Sequence, residues 1–462
     1  MPLYYVWNIG CQMNAADARR AEEGLEAMGL RRAAQIEQAD VIVLNTCVVR
    51  QSAEDRVWGR LRSLKPVKAK NPRAFLALMG CAVGDPDALA RQFPYVDAFI
   101  RPSDVDGLLR AVEQSGLAPS PRSATPRDSE PPGGEESPVA PVSAPCPSER
   151  SEASRTARAE PSPISRGITA IYGCNHHCTY CIVRLRRGGE TSRPVADIVR
   201  EAERAAARGA REIVLLGQNV DAYGRDLVPP LDLADLLHAV HDVEGIWRIR
   251  FLTSHPGDLS PRVIQAVRDL PKVCEHFELP VQSGDDGVLR RMGRTYTARQ
   301  YRDLVQAIRD AVPGAAIATD VIVGFPGETD EAFQNTYRLL EEIRFDAVHV
   351  AAYSVRPGTP AERLPDDVPP AEKERRRKAV DDLQKRIVGE INQALVGRAV
   401  EVLVEGQKKG RWFGRTRTNK LVFFDSPHDW RGRLAWVRIT WAGPWSLVGE
   451  VSPTAVKEGG FP

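Results

Sequence analysis

Tyr172-Gly173-Cys174-Asn175-His176-His177-Cys178-Thr179-Tyr180-Cys181 gathers three cysteines in a Cys-x-x-x-Cys-x-x-Cys spacing. The run before it, Ile168 to Tyr172, is strand-like, so the triad sits on a loop just past a strand. Iron–sulfur clusters normally take four cysteine thiolates. Three thiolates can hold three irons of a cubane cluster and leave the fourth iron without a protein ligand, open to substrate or cofactor. Two plainer readings compete. A structural zinc site needs a fourth ligand, for which His176 or His177 would serve. A disulfide fits poorly, because the chain shows no secretory signal and reads as a protein of a reducing compartment.

Working outward, strands and helices alternate from residue 166. Strand candidates are Ile168–Tyr172, Glu212–Gly217, Arg248–Leu252, His276–Val281, Ala316–Val323 and Asp346–Tyr353. Helical stretches such as Val195–Arg208 and Arg299–Ala311 lie between them. Six such units predict a barrel or partial barrel, with its site at the strand C-terminal ends. The triad follows the first strand and so falls on that rim.

Residues 1–116 alternate in the same way, which predicts a parallel sheet. Strand signals lie at Tyr4–Ile9, Val41–Leu44, Ala74–Met79 and Val96–Ile100. A helix covers Asn14–Met28, another starts near Ser52, and Ser103 is placed as the cap of the last. Cys11, Cys47 and Cys81 each follow a strand. In an open parallel sheet all strand C-terminal ends share one edge, so these three thiols converge although they are far apart in the chain. Alone, any of them would read as a buried structural cysteine. Together they predict a second three-cysteine site.

Residues 117–165 hold eleven prolines, ten serines and no aromatic residue. Such a segment buries too little apolar area to offset its ordering entropy, and it is read as a flexible linker. Cys146 lies in it and receives no role. Cys274 lies off both triads and reads as a core residue.

A charged helix is expected over residues 371–395, followed by short strands at Ala399–Val404, Leu421–Phe424, Leu434–Thr440 and Leu447–Glu450. This pattern predicts a small antiparallel barrel over 396–455. It carries ten Lys/Arg against five Asp/Glu between Gly397 and Glu450. Lys408, Lys409, Arg411, Arg415, Arg417 and Lys420 cluster with Trp412 and Phe413. Basic side chains neutralise phosphates and aromatics stack on unpaired bases, so the cluster is the candidate RNA contact. An ordinary hairpin with charged tips is the alternative.

The whole chain has 462 residues, 42% hydrophobic and 27% charged, with net charge +2. These values fit a soluble multidomain protein and give no global polyelectrolyte signal. No apolar run reaches the roughly 18 residues of a membrane span. The start lacks a basic, then apolar, signal segment, so a cytoplasmic location is expected.

In combination the motifs resemble the radical S-adenosylmethionine methylthiotransferase family, most closely its tRNA-modifying branch. The carrying residues are Gly10-Cys11-Gln12-Met13-Asn14, Asn45-Thr46-Cys47, Met79-Gly80-Cys81, the triad segment through Arg193, and Leu216-Gly217-Gln218-Asn219-Val220. Leu279 to Gly284, Asp320 to Thr329 and Tyr353 to Pro360 add to it. The resemblance covers nearly the whole chain except 117–165. It implies an N-terminal α/β domain (1–116), a central partial (β/α)6 radical S-adenosylmethionine core (166–395) and a TRAM-like RNA-binding barrel (396–455). It implies two [4Fe-4S] clusters, one on Cys174, Cys178 and Cys181 and one on Cys11, Cys47 and Cys81, with S-adenosylmethionine as cofactor.

The implied reaction is cleavage of that cofactor to a 5′-deoxyadenosyl radical, hydrogen abstraction from C2 of an adenine, and insertion of a methylated sulfur. The implied target is N6-isopentenyladenosine beside the tRNA anticodon. Tyr180, Gly217, Gln218, Asn219, Gln282 and Gly324 are then candidates for binding the cofactor. The implied partners are tRNA and a low-potential donor of the flavodoxin or ferredoxin type, with no membrane and a monomeric state.

Two positions depart from the family pattern: Arg184 stands where Pro is usual, and Asp221 where Asn is usual. The same chemistry on threonylcarbamoyladenosine or on a ribosomal-protein aspartate is the nearest rival, and Gln218-Asn219-Val220 favours the isopentenyl substrate. A non-catalytic iron–sulfur protein that binds RNA is the rival from another class.

Overall fold

The computed structural model describes residues 1–48, 51–117 and 164–451. The 117–165 segment and Cys146 therefore lie outside, or at the edges of, the described residues. The N-terminal sheet has strand order β2-β1-β3-β4-β5, all parallel, formed by β1 (Leu3–Asn8), β2 (Arg31–Arg32), β3 (Val41–Thr46), β4 (Phe75–Gly80) and β5 (Ala98–Ile100). Both faces are covered, and β3 and β4 are buried along their whole length. That burial explains why they read as continuous apolar runs rather than alternating ones. Helices Gln12–Ala27 and Val105–Gln114 pack Leu25, Leu108 and Val112 on one face, and helix Gln51–Ser63 packs Val57 and Leu61 on the other. The helix expected to start at Ser103 is capped by Asp104, which accepts from the Gly107 N–H. Ser103 instead donates to Asp17 Oδ2 at 3.1 Å.

The central part is an open (β/α)6 barrel. One half is the sheet β10-β9-β6, and the other is β11-β12-β13. Here β6 is Ser165–Thr169, β7 Ile171–Tyr172, β8 Thr191–Ser192, β9 Glu212–Leu216, β10 Arg248–Leu252, β11 His276–Glu278, β12 Ala316–Val323 and β13 Ala347–Ala352. The strand expected over His276–Val281 stops at Glu278. Pro280 has no N–H to offer a ladder, and Gln282 takes a left-handed φ of 68°.

Alternation along β9 and β10 sets the layers. Ile213, Leu215, Ile249 and Phe251 face the surrounding helices in the largest core. Val214, Leu216 and Leu252 face the other way and pack on Met13 and Ala16 of helix Gln12–Ala27. The first turn of the N-terminal domain's helix thus fills the inner side of the barrel. Nearer the strand starts, the same inward column is polar: Glu212, Arg248 and Arg250 are all buried.

The C-terminal part is a closed five-stranded barrel, β14-β15-β16-β18-β17. Its strands are β14 (Ala399–Lys408), β15 (Arg411–Thr416), β16 (Leu421–Phe424), β17 (Leu434–Ala442) and β18 (Leu447–Val451). β15 was not expected as a strand. The barrel docks at the N-terminal end of the central strands, away from the triad. Arg248 binds Glu401 Oε1 (2.7 Å) and Arg415 O (2.6 Å), and Arg250 binds Arg417 O (2.6 Å) and Thr416 O (2.6 Å). Helix Pro370–Gln393 links the two ends. Lys373 near its start reaches Tyr353 O (3.4 Å) at the end of β13, and Asn392 near its finish donates to Gly443 O (2.8 Å). Nineteen residues at about 1.5 Å each put the two contacts roughly 28 Å apart. No helix of the described residues is long and apolar enough to cross a membrane.

Candidate functional site

The loop carrying Cys174, Cys178 and Cys181 is pinned at almost every residue. Gly173 has φ 71°, and a Cβ there would lie 1.9 Å from Gly189 O, so only glycine closes this loop. Cys174 N–H donates to Gly188 O (3.1 Å). Asn175 gives its N–H and side-chain amide to the two oxygens of Glu190 (3.1 and 2.9 Å). Thr179 is held by Met292 O (2.9 Å) and Arg291 O (2.8 Å). Arg294 Nη1 donates to Cys178 Sγ at 3.4 Å. Burial pushes the Cys174 thiol up to about 12 and the Cys181 thiol up to about 11. Binding a metal must displace those protons.

His176 does not complete a zinc set with these thiols. Its Nε2 meets Asp258 Oδ2 at 2.5 Å and its ring stacks on His255 with centroids 3.6 Å apart. His177 is exposed. Among the described residues, the one three-member group with ligand atoms all within 4.8 Å of one another is His176, His255 and Asp258. A tetrahedral zinc with Zn–S of about 2.3 Å would draw its thiolates to about 3.8 Å. Neither cysteine triad has its three sulfurs all within 4.8 Å of one another.

The His176–His255–Asp258 group is itself a hydrogen-bond network. Asn219 Nδ2 (2.6 Å) and Arg225 Nη2 (3.0 Å) also donate to Asp258, and His255 Nδ1 accepts from the Gly257 N–H (3.1 Å). Burial alone would raise the Asp258 carboxyl, but the His176, Asn219 and Arg225 contacts outweigh it and hold it below the usual range. Burial and the neighbouring Arg294 push His255 down to about 3, so its ring is neutral.

The second triad converges as the strand order requires. Cys47 and Cys81 directly follow β3 and β4, and Cys11 is the N-cap residue of helix Gln12–Ala27. A Cβ on Gly10 would sit 2.6 Å from Cys47 Cβ. Cys81 interacts electrostatically with both Cys11 and Arg187. Asn14 fastens the loops together. Its side-chain amide donates to Thr46 O (2.6 Å) and Ile9 O (3.2 Å), its backbone carbonyl accepts from Asn45 Nδ2 (2.6 Å), and its Oδ1 lies 3.7 Å from Cys11 Sγ. The helix N-terminus adds partial positive charge at the triad.

Arg187, six residues past Cys181, reaches into this second site from the other domain. It donates to Ser103 Oγ (2.6 Å), Asn14 Oδ1 (2.7 Å) and Asp17 Oδ2 (3.3 Å), and its charge faces the Cys81 thiol. Its side chain is 3% exposed. Beside it, Arg186 lies so close to Gly84 that a Cβ there would be 1.8 Å from Nη1. The stretch that leaves the first triad therefore docks on the domain that holds the second.

Residue by residue, the other expected positions fall as follows. Tyr180 packs edge-on against Phe325 at 6.4 Å. Gly217 leaves no room for a side chain, since a Cβ would meet Ile171 at 2.6 Å. Gln218 Oε1 and Asn219 Oδ1 are buried without a hydrogen-bond partner among the described residues. Gln282 is buried at the rim, next to Val321. The Gly324 turn is closed by Lys373, whose Cγ would sit 2.3 Å from a Cβ there. Asp221 is buried, accepts from the His255 N–H (2.9 Å) and Ser254 Oγ (3.2 Å), and is pushed by burial up to about 7. Arg184 is exposed.

The basic cluster of the small barrel divides. Trp412 is buried in the barrel core. Arg417 grips Glu275 with two nitrogens (2.7 to 3.0 Å), Lys420 binds Asp346 (2.8 Å), and Arg415 lies 3.5 Å from Glu405. Arg417 and Lys420 thus hold the barrel to the central domain. Lys408, Lys409 and Arg411 stay exposed, with Arg411 3.1 Å from Asp425. The exposed aromatics lie elsewhere, on β17 and the turn after it: Trp436, Trp441 and Trp445, at 46%, 55% and 67% exposure. Arg438 on β17 and Arg433 just before it are exposed and have no ion pair among the described residues. Sequence reasoning passed over Asn14, Arg187, Asp258 and Arg294. Asn14 and Arg187 lay inside quoted motifs without a role.

Three family profiles match the chain: the Radical SAM superfamily over residues 168–340, the uncharacterised protein family UPF0004 over 3–101, and the TRAM domain over 393–452. A tRNA-2-methylthio-N(6)-dimethylallyladenosine synthase of Roseiflexus sp. is 48% identical over 97% of this chain and 89% of its own. Proteins of the same name from Dehalococcoides mccartyi and Dictyoglomus thermophilum are 45% and 42% identical and nearly fully covered, at 98% and 99% of their lengths. Among solved structures, the radical S-adenosylmethionine methyltransferase TsrM of Kitasatospora setae matches with a TM-score of 0.53. It is 13% identical, over 89% of this chain and 77% of that one, a likeness of fold.

Proposed function

This chain belongs to the tRNA-2-methylthio-N(6)-dimethylallyladenosine synthase family of radical S-adenosylmethionine enzymes, and we propose that it places a methylthio group at C2 of N6-isopentenyladenosine beside the tRNA anticodon. The observation that carries the reading is the pair of three-cysteine sites, one on the barrel rim and one on the N-terminal sheet edge, joined by Arg187. We assign Cys174, Cys178 and Cys181 to one [4Fe-4S] cluster, and Cys11, Cys47 and Cys81 to the other. When bound, the clusters and S-adenosylmethionine supply the radical and sulfur chemistry that no side chain can perform on an unactivated aromatic C–H.

The protein's own residues do the positioning. Asn175, His176 and Thr179 fix the first loop against Glu190, Asp258 and Met292. Asn14 holds the two second-site loops after β1 and β3 in register. The unpartnered carbonyl oxygens of Gln218 and Asn219 are acceptors for a ligand N–H at the rim. Tyr180 and Phe325 supply apolar surface beside the triad, and Gln282 a polar group at a neighbouring strand end. Residues 1–116, 166–395 and 396–455 are the working parts, joined by 117–165. For the RNA we assign the exposed Trp436, Trp441, Trp445 and Arg438 face, together with Lys408, Lys409 and Arg411, because stacking rings and unpaired cations suit a base-bearing polyanion. A low-potential flavodoxin- or ferredoxin-type donor, a monomeric state and a cytoplasmic location complete the proposal.

The test is nucleoside analysis of tRNA from a strain lacking this gene. Loss of 2-methylthio-N6-isopentenyladenosine with accumulation of its unthiolated precursor supports the assignment. Persistence of that product while another methylthio species disappears would refute it.

A further inference from the structure

Each cysteine triad carries one guanidinium against a thiol, and the two arginines are held in different ways. At the first site Arg294 Nη1 donates to Cys178 Sγ at 3.4 Å, Nη2 to Pro280 O at 2.8 Å and Nε to Tyr296 Oη at 2.8 Å, while its plane lies over the Tyr296 ring at 5.1 Å. Among the described residues no carboxylate lies within ion-pair distance of it. A cation in such a place is costly unless an anion faces it. The anions within its reach are the thiolates that a metal would create at Cys178 and Cys181. At the second site Arg187 turns its charge toward the Cys81 thiol and shares it with the 1% exposed Asp17. Its fork is fixed by Ser103 and Asn14, so it does not turn away.

We propose that Arg294 and Arg187 are dedicated positioning residues for the two clusters, Arg294 through Cys178 and Arg187 through Cys81, and that each raises the reduction potential of its own cluster alone. The inference rests on the two-cluster reading above. Its physical basis is charge. Adding one electron from a reductant adds one negative charge to a cluster, and a fixed guanidinium donating to a cluster-bound sulfur stabilises that state. Hydrogen bonds to the sulfurs and net charge are among the levers that set these potentials. Arg294 has no carboxylate offset and Arg187 has Asp17, so the effect is larger at the first site.

The experiment is a redox titration of full-length protein with dithionite, followed by electron paramagnetic resonance. One background carries Cys11, Cys47 and Cys81 changed to Ala, the other Cys174, Cys178 and Cys181 changed to Ala. Arg294→Gln is expected to move the first cluster's midpoint to a more negative potential and leave the second unmoved. Arg187→Gln should do the reverse, by a smaller shift. Arg294→Lys and Arg187→Lys keep a positive charge and should recover part of each shift. Unchanged midpoints overturn the inference, as does movement of both clusters by either variant, which would mark a general structural effect. If a Gln variant fails to hold iron, the Lys variant is read in its place, and loss of iron there too also overturns it. A parent protein that never holds a second cluster defeats the two-cluster reading itself, a separate outcome visible before any arginine is changed.

Discussion

Asn14 shows how much one side chain of this protein arranges. It ties the loops after β1 and β3 together, touches Cys11 and accepts from Arg187 across the domain boundary. Its burial makes each lost hydrogen bond cost about 1–3 kcal/mol. Asn14→Ala should therefore lower second-site iron while leaving first-site iron intact, as read by metal content and electron paramagnetic resonance. Cys174→Ala should abolish cleavage of S-adenosylmethionine. Cys11→Ala should retain 5′-deoxyadenosine formation but yield no methylthio product, measured by chromatography of nucleosides. At this scale the cysteines were legible in the sequence because their spacing and their places after strands are one-dimensional signals. Arg187 and Arg294 were not, because nothing in the order of residues says that one arginine will cross to another domain's cysteine.

Among the elements, strand existence was easier to read than strand ends. β3 and β4 announced themselves as apolar runs, but β11 stops early because Pro280 and the left-handed Gln282 end the ladder. β15 was hidden by its composition. Its Arg411, Arg415 and Gly414 look like a loop tip, yet Gly414 is the residue that lets the strand approach Leu403, where a Cβ would lie 2.1 Å from the carbonyl oxygen. Asp221, after β9, gives a pH prediction. Burial pushes its carboxyl from 3.8 up to about 7. A raised folded-state value means the stabilising proton is fully present below pH 3.8 and lost as pH rises through about 7. Asp221→Asn removes that loss. Its melting temperature relative to the parent should rise between about pH 4 and about pH 7 and level off above that, and an unchanged difference across that range would count against the assignment.

At the level of the whole molecule, the small barrel sits at the opposite end of the central strands from the triad. Arg417, Lys420, Arg248 and Arg250 hold it there. The sequence placed Arg417 and Lys420 on an RNA surface because basic residues look alike whether they face phosphate or a carboxylate of the next domain. Glu275→Ala should cost about 1–2 kcal/mol of stability by stranding Arg417. It should leave cofactor cleavage intact, a split that calorimetry and a 5′-deoxyadenosine assay resolve. Trp441→Ala should do the opposite, weakening tRNA binding by about 1–3 kcal/mol, the range for a lost base stack, with little change in melting temperature.

The central claim is that two separate sets of three cysteines each carry an iron–sulfur cube. It is tested most directly by counting iron and sulfide, with Mössbauer spectra, in anaerobically prepared protein and in the two triple-alanine variants. About eight irons per chain in the parent and about four in each variant are the predicted result, since each [4Fe-4S] cluster contributes about four. Zinc in place of iron, or about four irons in the parent that either triple variant removes completely, would contradict it.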